Sequence, residues 1–323
     1  EIHERLVGSE MCIRDRYTDK QERFINEEAE RMIRQYGNFA SFLFMAMGNE
    51  SSADTLKMRR FLVKQKADGR RLVSGKMNGR PDLPEADFYV THSIKGKNMR
   101  HHIGWPPTPQ NNLLFHIKPG TNYDYDEAMS QYGKPFFSHE VGQYCVFPDF
   151  EAELPKYTGS MKATVLEIQK DQLEERGMSH LAPVFTKATG EWQMRLLKAE
   201  YEALLRTPDI AGFHSLSLQD FTGQGTAPVG VLDAFWDEKK HVRAADFRRF
   251  CDSTVVLARI PSILLAGGNK FSAGIEICHF GAHSLKDATL IYDIRDEQGN
   301  VYHKGKIRMP EIDNHSSNQS VGR

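Results

Sequence analysis

The chain has 323 residues, and its 42 Lys and Arg stand against 43 Asp and Glu, a formal net charge of −1 at pH 7. A balance this close to neutral lacks the surplus of Lys and Arg that marks a nucleic-acid or anionic-membrane partner, and no apolar run approaches the roughly 18 residues of a spanning helix. Cys12, Cys145, Cys251 and Cys278 show no C-x-x-C spacing, so neither a zinc site nor a disulfide framework is indicated.

Residues 1–16, EIHERLVGSEMCIRDR, carry no sustained periodicity and no signal-peptide core. SEMCIRDR resembles the translation of a sequencing-library adapter, so this stretch is expected to be a non-native tail that packs no core side chain. The reading leaves the cellular location open, a periplasmic or secreted one included, and the oligomeric state as well.

From Thr18 to Tyr36 the pattern is helical, with Phe24, Ile25, Ala29, Met32, Ile33 and Tyr36 on one face and Gly37 as the stop. Residues 39–47, FASFLFMAM, hold one polar side chain and predict a strand buried on both faces, as in a parallel sheet covered by helices. It delivers Gly48-Asn49-Glu50 at its end. A helix over 52–65, a short strand over 71–74 and another strand over 86–92 continue a β/α repeat. Residues 101–122 read as loop, with Trp105, a Pro-Pro-Thr-Pro run and His116. A short helix over 124–132 precedes a strand over 135–139, which delivers Glu140. Long helices follow over 161–176 and 181–206, then a last strand over 212–218 ending at Gln219-Asp220.

After residue 250 the texture changes. The runs 254–258, 271–279, 288–294 and 301–307 are short and β-rich, separated by Gly-Asn turn signals, and predict an antiparallel sandwich. The expected organisation is therefore a tail (1–16), an α/β domain (17–250) and a β-sandwich (251–323).

Three strand ends carry acids or their partners: Asn49-Glu50, His139-Glu140 and Gln219-Asp220. In a (β/α)₈ barrel catalytic residues sit at the C-terminal ends of the strands. Two carboxylates converging there are what glycoside hydrolysis needs, one to protonate the leaving oxygen and one to attack or to activate water. Against this stands the plain fact that acidic residues are abundant and Asn-Glu is a common pair.

Other candidates have duller readings. His92, His101, His102, His116 and His139 lack helix-ligand spacing and a completing Cys or Asp, which argues against a metal site. His139 reads as an active-site wall or a substrate donor. Gly223-Gln224-Gly225 has no third glycine and no βαβ unit around it, so it reads as a loop needing positive φ rather than a dinucleotide site. Trp236 and Trp105 could stack a sugar ring, Trp192 reads as core, and Asp220 and Asp233 either bind hydroxyls or cap loops.

The stretches GNE, SHEVGQYCVFPDF, LPKYTG and GFHSLSLQDFTGQGTAPVGVLDAFW together resemble glycoside hydrolase family 2, the β-galactosidase and β-glucuronidase family, from about Tyr17 to the C-terminus. The resemblance implies strands four to eight of a (β/α)₈ barrel, with strands one to three absent, followed by an incomplete antiparallel β-sandwich. It implies a retaining exo-β-glycosidase acting on the end of an oligosaccharide, galactose first and glucuronate next, with no cofactor. Carried over by position, Glu50 is the acid/base, Glu140 the nucleophile and Asn49 a donor to the sugar 2-hydroxyl, with His92, His139, His214, Asp220 and Trp236 around the substrate. This chain departs from the family where strand eight often carries Trp, having His214 and Ser215, and where a strand-six Tyr commonly assists the nucleophile, having His92. A retaining pair requires carboxyl groups about 5–5.5 Å apart. A fragment of this extent is expected to be poorly soluble or inactive. The alternatives are a carbohydrate-binding barrel without turnover and a structural subunit without a ligand.

Overall fold

In a computed structural model of the protein, the described residues are 18–49, 55–77, 83–94, 97–98, 119–130, 132–222, 224–225, 227–314 and 316–322. Residues 1–16, Glu50, His101, His102, Trp105, His116 and Gly223 lie outside them, so the adapter-like tail and the Glu50 to Glu140 spacing do too.

The first described element, α1 (Asp19–Tyr36), is opened by a capping box. Gln21 N–H donates to Thr18 Oγ1 at 3.3 Å, and Thr18 N–H donates to Gln21 Oε1 at 2.8 Å. Its end differs from expectation, because Gly37 is right-handed with φ −62°. The glycine is required by close approach instead: a Cβ there would meet Ile33 O at 2.2 Å, while Arg70 Nη1 donates to Gly37 O at 2.9 Å.

The apolar run that follows is not one long strand. Residues 39–42 turn, with Phe42 N–H donating to Phe39 O at 3.1 Å, and β1 runs only over Phe44–Asn49. Its burial alternates. Met45 and Met47 pack against Met58, Phe61 and Leu62 of α2 (Thr55–Lys66), whereas Phe44 stays 45% exposed on the other face. There its ring meets those of Phe88 and Phe137 edge-on at 5.2 and 5.3 Å. The expectation of a strand buried on both faces is thus corrected: helices cover one side only, α2 together with Ala29, Ile25 and Ile33 of α1.

Next come β2 (Leu72–Met77), β3 (Tyr89–Thr91), and the minimal antiparallel pair β4 (Ser93–Ile94) and β5 (Lys97–Asn98). After α3 (Asp126–Met129) follow β6 (Phe136–Val141), α4 (Phe150–Glu153), α5 (Thr164–Glu175), α6 (Ala182–Leu205) and β7 (Ile210–Ser215). Parallel strands with helices between them match the β/α reading, but they form two ladders, β1–β2 and β3–β6–β7. Asp87 joins the two: its N–H donates to Val73 O at 2.8 Å, and its Oδ2 accepts from Val73 N–H at 2.9 Å. Shared direction places Asn49, His92, Glu140 and Ser215 at the same, C-terminal, ends.

The main core lies between β6, β7 and α6, where Tyr125, Phe136, Val141, Leu196, Leu197, Tyr201, Leu204 and Phe250 are buried together. Full burial of each apolar side chain of this size contributes about 1.5–3 kcal/mol. Trp192, expected in the core, is half exposed at 50% because it sits one residue out of phase with that buried face.

Beyond the short α7 (Ala244–Phe247), the antiparallel part contains the sheet β8 (Thr254–Arg259), β9 (Gly274–His279) and β12 (Ser316–Gly322), in the order β12-β9-β8. A separate hairpin is formed by β10 (Thr289–Arg295) and β11 (Val301–Arg308). Strand β12, SSNQSVG, is polar and does not alternate, so the sequence pattern gives no signal for it. The sheet is tied to the α/β part through Arg259, whose Nη1 donates to Asp124 Oδ2 at 2.7 Å and whose Nη2 donates to Arg206 O at 2.8 Å. Among the described residues, no helix is long and apolar enough to cross a membrane.

Candidate functional site

The site is centred on Glu140, one residue from the end of β6. Between β6 and β7 the ladder runs from Ser138 opposite Phe213 to Val141 opposite Ser215, so His139 and Glu140 together face the single residue His214. That is a β-bulge, and bulges re-aim side chains where two residues meet one. Glu140 takes φ +51°, an uncommon conformation for a residue with a Cβ. In a regular strand His139 and Glu140 would point to opposite faces; here both reach one locus.

The Glu140 carboxylate is held on both oxygens. Asn49 Nδ2 donates to Oε1 at 3.4 Å, from β1, and Gln143 Nε2 donates to Oε2 at 3.3 Å. His139 is buried, with Nε2 3.3 Å from Glu140 Oε1 in an electrostatic contact that is not an in-line hydrogen bond. Its Nδ1 lies 3.1 Å from His214 Nε2, the rings edge-on with centroids 4.8 Å apart. Burial first, and the neighbouring His139 second, push the His214 pKa down to about 4, against the opposing pull of Glu140. His214 is therefore a neutral imidazole at neutral pH.

Two polar side chains on the buried face of α6 hold the loops beyond the strands. Glu200, fully buried, accepts from Gly142 N–H at 3.1 Å. Gly142 has φ +86°, and a Cβ there would come within 2.8 Å of Leu197 Cδ2, so the residue two places after Glu140 has to be glycine. Gln193, also fully buried, donates through Nε2 to Tyr144 O and Val229 O at 2.8 Å each, and its Oε1 lies 3.0 Å from His241 Nε2. One helix thus fastens the loop after β6 and the loop after β7.

The other expected residues are placed as follows. His92 follows β3 directly and is half-buried at the same end as Asn49 and Glu140. Asp220 is engaged in its own loop, accepting from Lys239 Nζ at 2.7 Å and from Gly230 N–H at 2.9 Å. Burial pushes its carboxyl up, against the pull of Lys239. Asp233 likewise caps a turn, accepting from Phe235 N–H at 2.8 Å and Asp237 N–H at 3.1 Å, and pairs with Lys156. Trp236 is 60% exposed with φ +70°. Gly225 corrects the reading of its loop: what it supplies is room, since a Cβ would lie 2.7 Å from Val165 Cγ2, and its φ is not positive. Among the described residues, no three His, Cys, Asp or Glu side chains group so as to hold a metal ion.

The His139–His214 pair, Gln143, Gln193 and Glu200 were not foreseen. For the last two a signal exists, because Gln193 and Glu200 interrupt the apolar face Leu196, Leu197, Tyr201, Leu204 seven residues apart, which is two helical turns. The bulge that joins the histidines has no mark in β6 alone.

A domain of unknown function (DUF8488) matches residues 269–323. No curated protein sequence matches the chain. Among solved structures, a β-glucuronidase of Parabacteroides merdae is similar at 13% identity and TM-score 0.43, over 95% of this chain and 38% of that one. A β-glucuronidase of an uncultured Clostridium gives 14% and 0.42, over 72% and 37%. The exo-chitosanase of Amycolatopsis orientalis gives 10% and 0.44, over 94% and 35%. The chain spans little more than a third of the length of these proteins, and likeness at such TM-scores carries no argument about activity.

Proposed function

We propose that this chain carries the nucleophile-bearing part of a retaining β-glycosidase of glycoside hydrolase family 2 type, on strands four to eight of a (β/α)₈ barrel followed by a β-sandwich. The observation that carries the reading is the contact of Asn49 with Glu140, 91 residues apart in the chain. In strand order β2 and β3 stand between β1 and β6. Three spacings of about 4.8 Å would hold their ends about 14 Å apart in a flat sheet. Side chains of Asn and Glu do not span that, so the contact supports a curled arrangement whose strand ends face a common centre.

In the reaction, the ionised Glu140 carboxylate attacks the anomeric carbon of a terminal β-linked sugar as the glycosidic C–O bond breaks. The leaving oxygen takes its proton from Glu50, the residue after Asn49. Water then attacks the anomeric carbon of the glycosyl ester, Glu50 takes the water proton, and the ester bond to Glu140 breaks. Asn49 holds Glu140 in the free protein and would donate to the sugar 2-hydroxyl in the complex. Trp236, exposed beyond β7, is available to stack on the sugar, and His92 to line it. β-Galactosides are the first expected substrates and β-glucuronides the second.

The test is turnover of a panel of nitrophenyl β-glycosides by the full-length gene product. One member should be hydrolysed with retention, Glu140→Gln should abolish the rate, and azide should rescue Glu140→Gly as a glycosyl azide of inverted configuration. Hydrolysis that survives Glu140→Gln would overturn the assignment; sugar binding without turnover of any member would favour a binding protein.

A further inference from the structure

His139 has two ring nitrogens and two different neighbours. Nδ1 faces His214 Nε2 at 3.1 Å, and Nε2 faces Glu140 Oε1 at 3.3 Å. A neutral imidazole carries one proton, so two arrangements are available. If it sits on Nδ1, His139 donates to His214 and turns an Nε2 lone pair toward a carboxylate oxygen, which repels it. If it sits on Nε2, His214 must be the donor to His139 Nδ1, and an N–H dipole faces the carboxylate. Electrostatics selects the second arrangement.

We propose that His214 is a positioning residue: its Nε2–H donates to His139 Nδ1 and so fixes the His139 proton on Nε2, where it steadies the ionised carboxylate of Glu140. The proposal rests on the reading of Glu140 as a nucleophile that works ionised. The bulge supplies the geometry, since it alone brings two consecutive residues of β6 against one residue of β7. His214 is kept neutral by burial, so its second nitrogen gains no proton until pH falls to about 4. The titratable groups acting on it among the described residues are His139 and Glu140. Asn49 and Gln143, which donate to Glu140, are uncharged amides and do not titrate. In this arrangement the positive end of an N–H dipole faces the carboxylate across 3.3 Å.

The experiment reads the tautomer directly, by long-range ¹H–¹⁵N correlation of the imidazoles in the full-length protein, with a His139→Gln variant to assign the resonances. Wild-type His139 in its neutral form should be the Nε2–H tautomer. His214→Leu should lose that preference and His214→Gln, which retains a donor, should keep it. In the same variants the acid limb of kcat/KM for a nitrophenyl β-glycoside should move up by about one pH unit in His214→Leu, a tenfold loss on that limb, and return in His214→Gln. If His214→Leu does not fold, the wild-type and His214→Gln spectra decide. A wild-type His139 protonated on Nδ1, or a tautomer that His214→Leu leaves unchanged, overturns the proposal. A tautomer pattern as expected with no turnover of any substrate sinks the glycosidase reading and leaves the His214 assignment supported.

Discussion

Helix α6 and the β10–β11 hairpin make an instructive pair. Both are segments whose local sequence favours the structure they take, yet they end in opposite environments. The helix buries Gln193, Leu196, Leu197, Glu200, Tyr201 and Leu204 against the strands. The hairpin, rich in Ile, Tyr and Val, leaves Ile291 71% and Tyr302 84% exposed. Its ladder forms through β-propensity and seven paired positions, whereas the helix is held by tertiary contacts that decide where side chains go. Local preference therefore locates an element; only packing tells whether it carries stability.

The sharpest way to break that comparison is in the core. Leu204→Ala should lower stability by about 2–5 kcal/mol, because a fully buried leucine leaves a cavity its rigid neighbours cannot fill. The measurement is the urea midpoint, and a loss below about 1 kcal/mol would mean that the site collapses freely.

A second test uses the half-buried histidines around the helix. The pKa values of His214 and His241 are pushed down to about 4 from 6.5, chiefly by burial. The unfolded chain binds these protons near pH 6.5 and the folded chain only near pH 4, so the unfolded state holds more protons between the two. Stability should fall as pH drops from about 6.5 to about 4. Urea midpoints at pH 7 and 4.5 should differ less in His241→Gln than in wild type, and an equal difference would remove His241 from the account.

The smallest effect is expected at the hairpin. Tyr302→Thr keeps a residue suited to strands and removes an exposed ring, so it should change stability by no more than about 0.5 kcal/mol. A larger loss in thermal or chemical unfolding would show that something covers this face in solution.

Much of the site was legible in the sequence because its residues end strands. Gly48-Asn49 closes a methionine-rich strand and His139-Glu140 nearly closes another, and the contact of Asn49 with Glu140 brings the ends of the two ladders together. What was not legible depends on a partner strand or on phase. The opposition of His139 and Glu140 to His214 is a property of two strands together. Strand β12 has neither apolar content nor alternation and is drawn into place by β9. Phe39 looks as apolar as Met45 and Met47, yet a turn removes it from the strand and leaves it in solvent.

The Gln193 amide has a mechanical consequence. A single NH₂ group holds a carbonyl from the loop after β6 and another from the loop after β7. A displacement of either loop is transmitted to the other through one planar group anchored on a rigid helix. The two loops are thereby coupled and move as one unit.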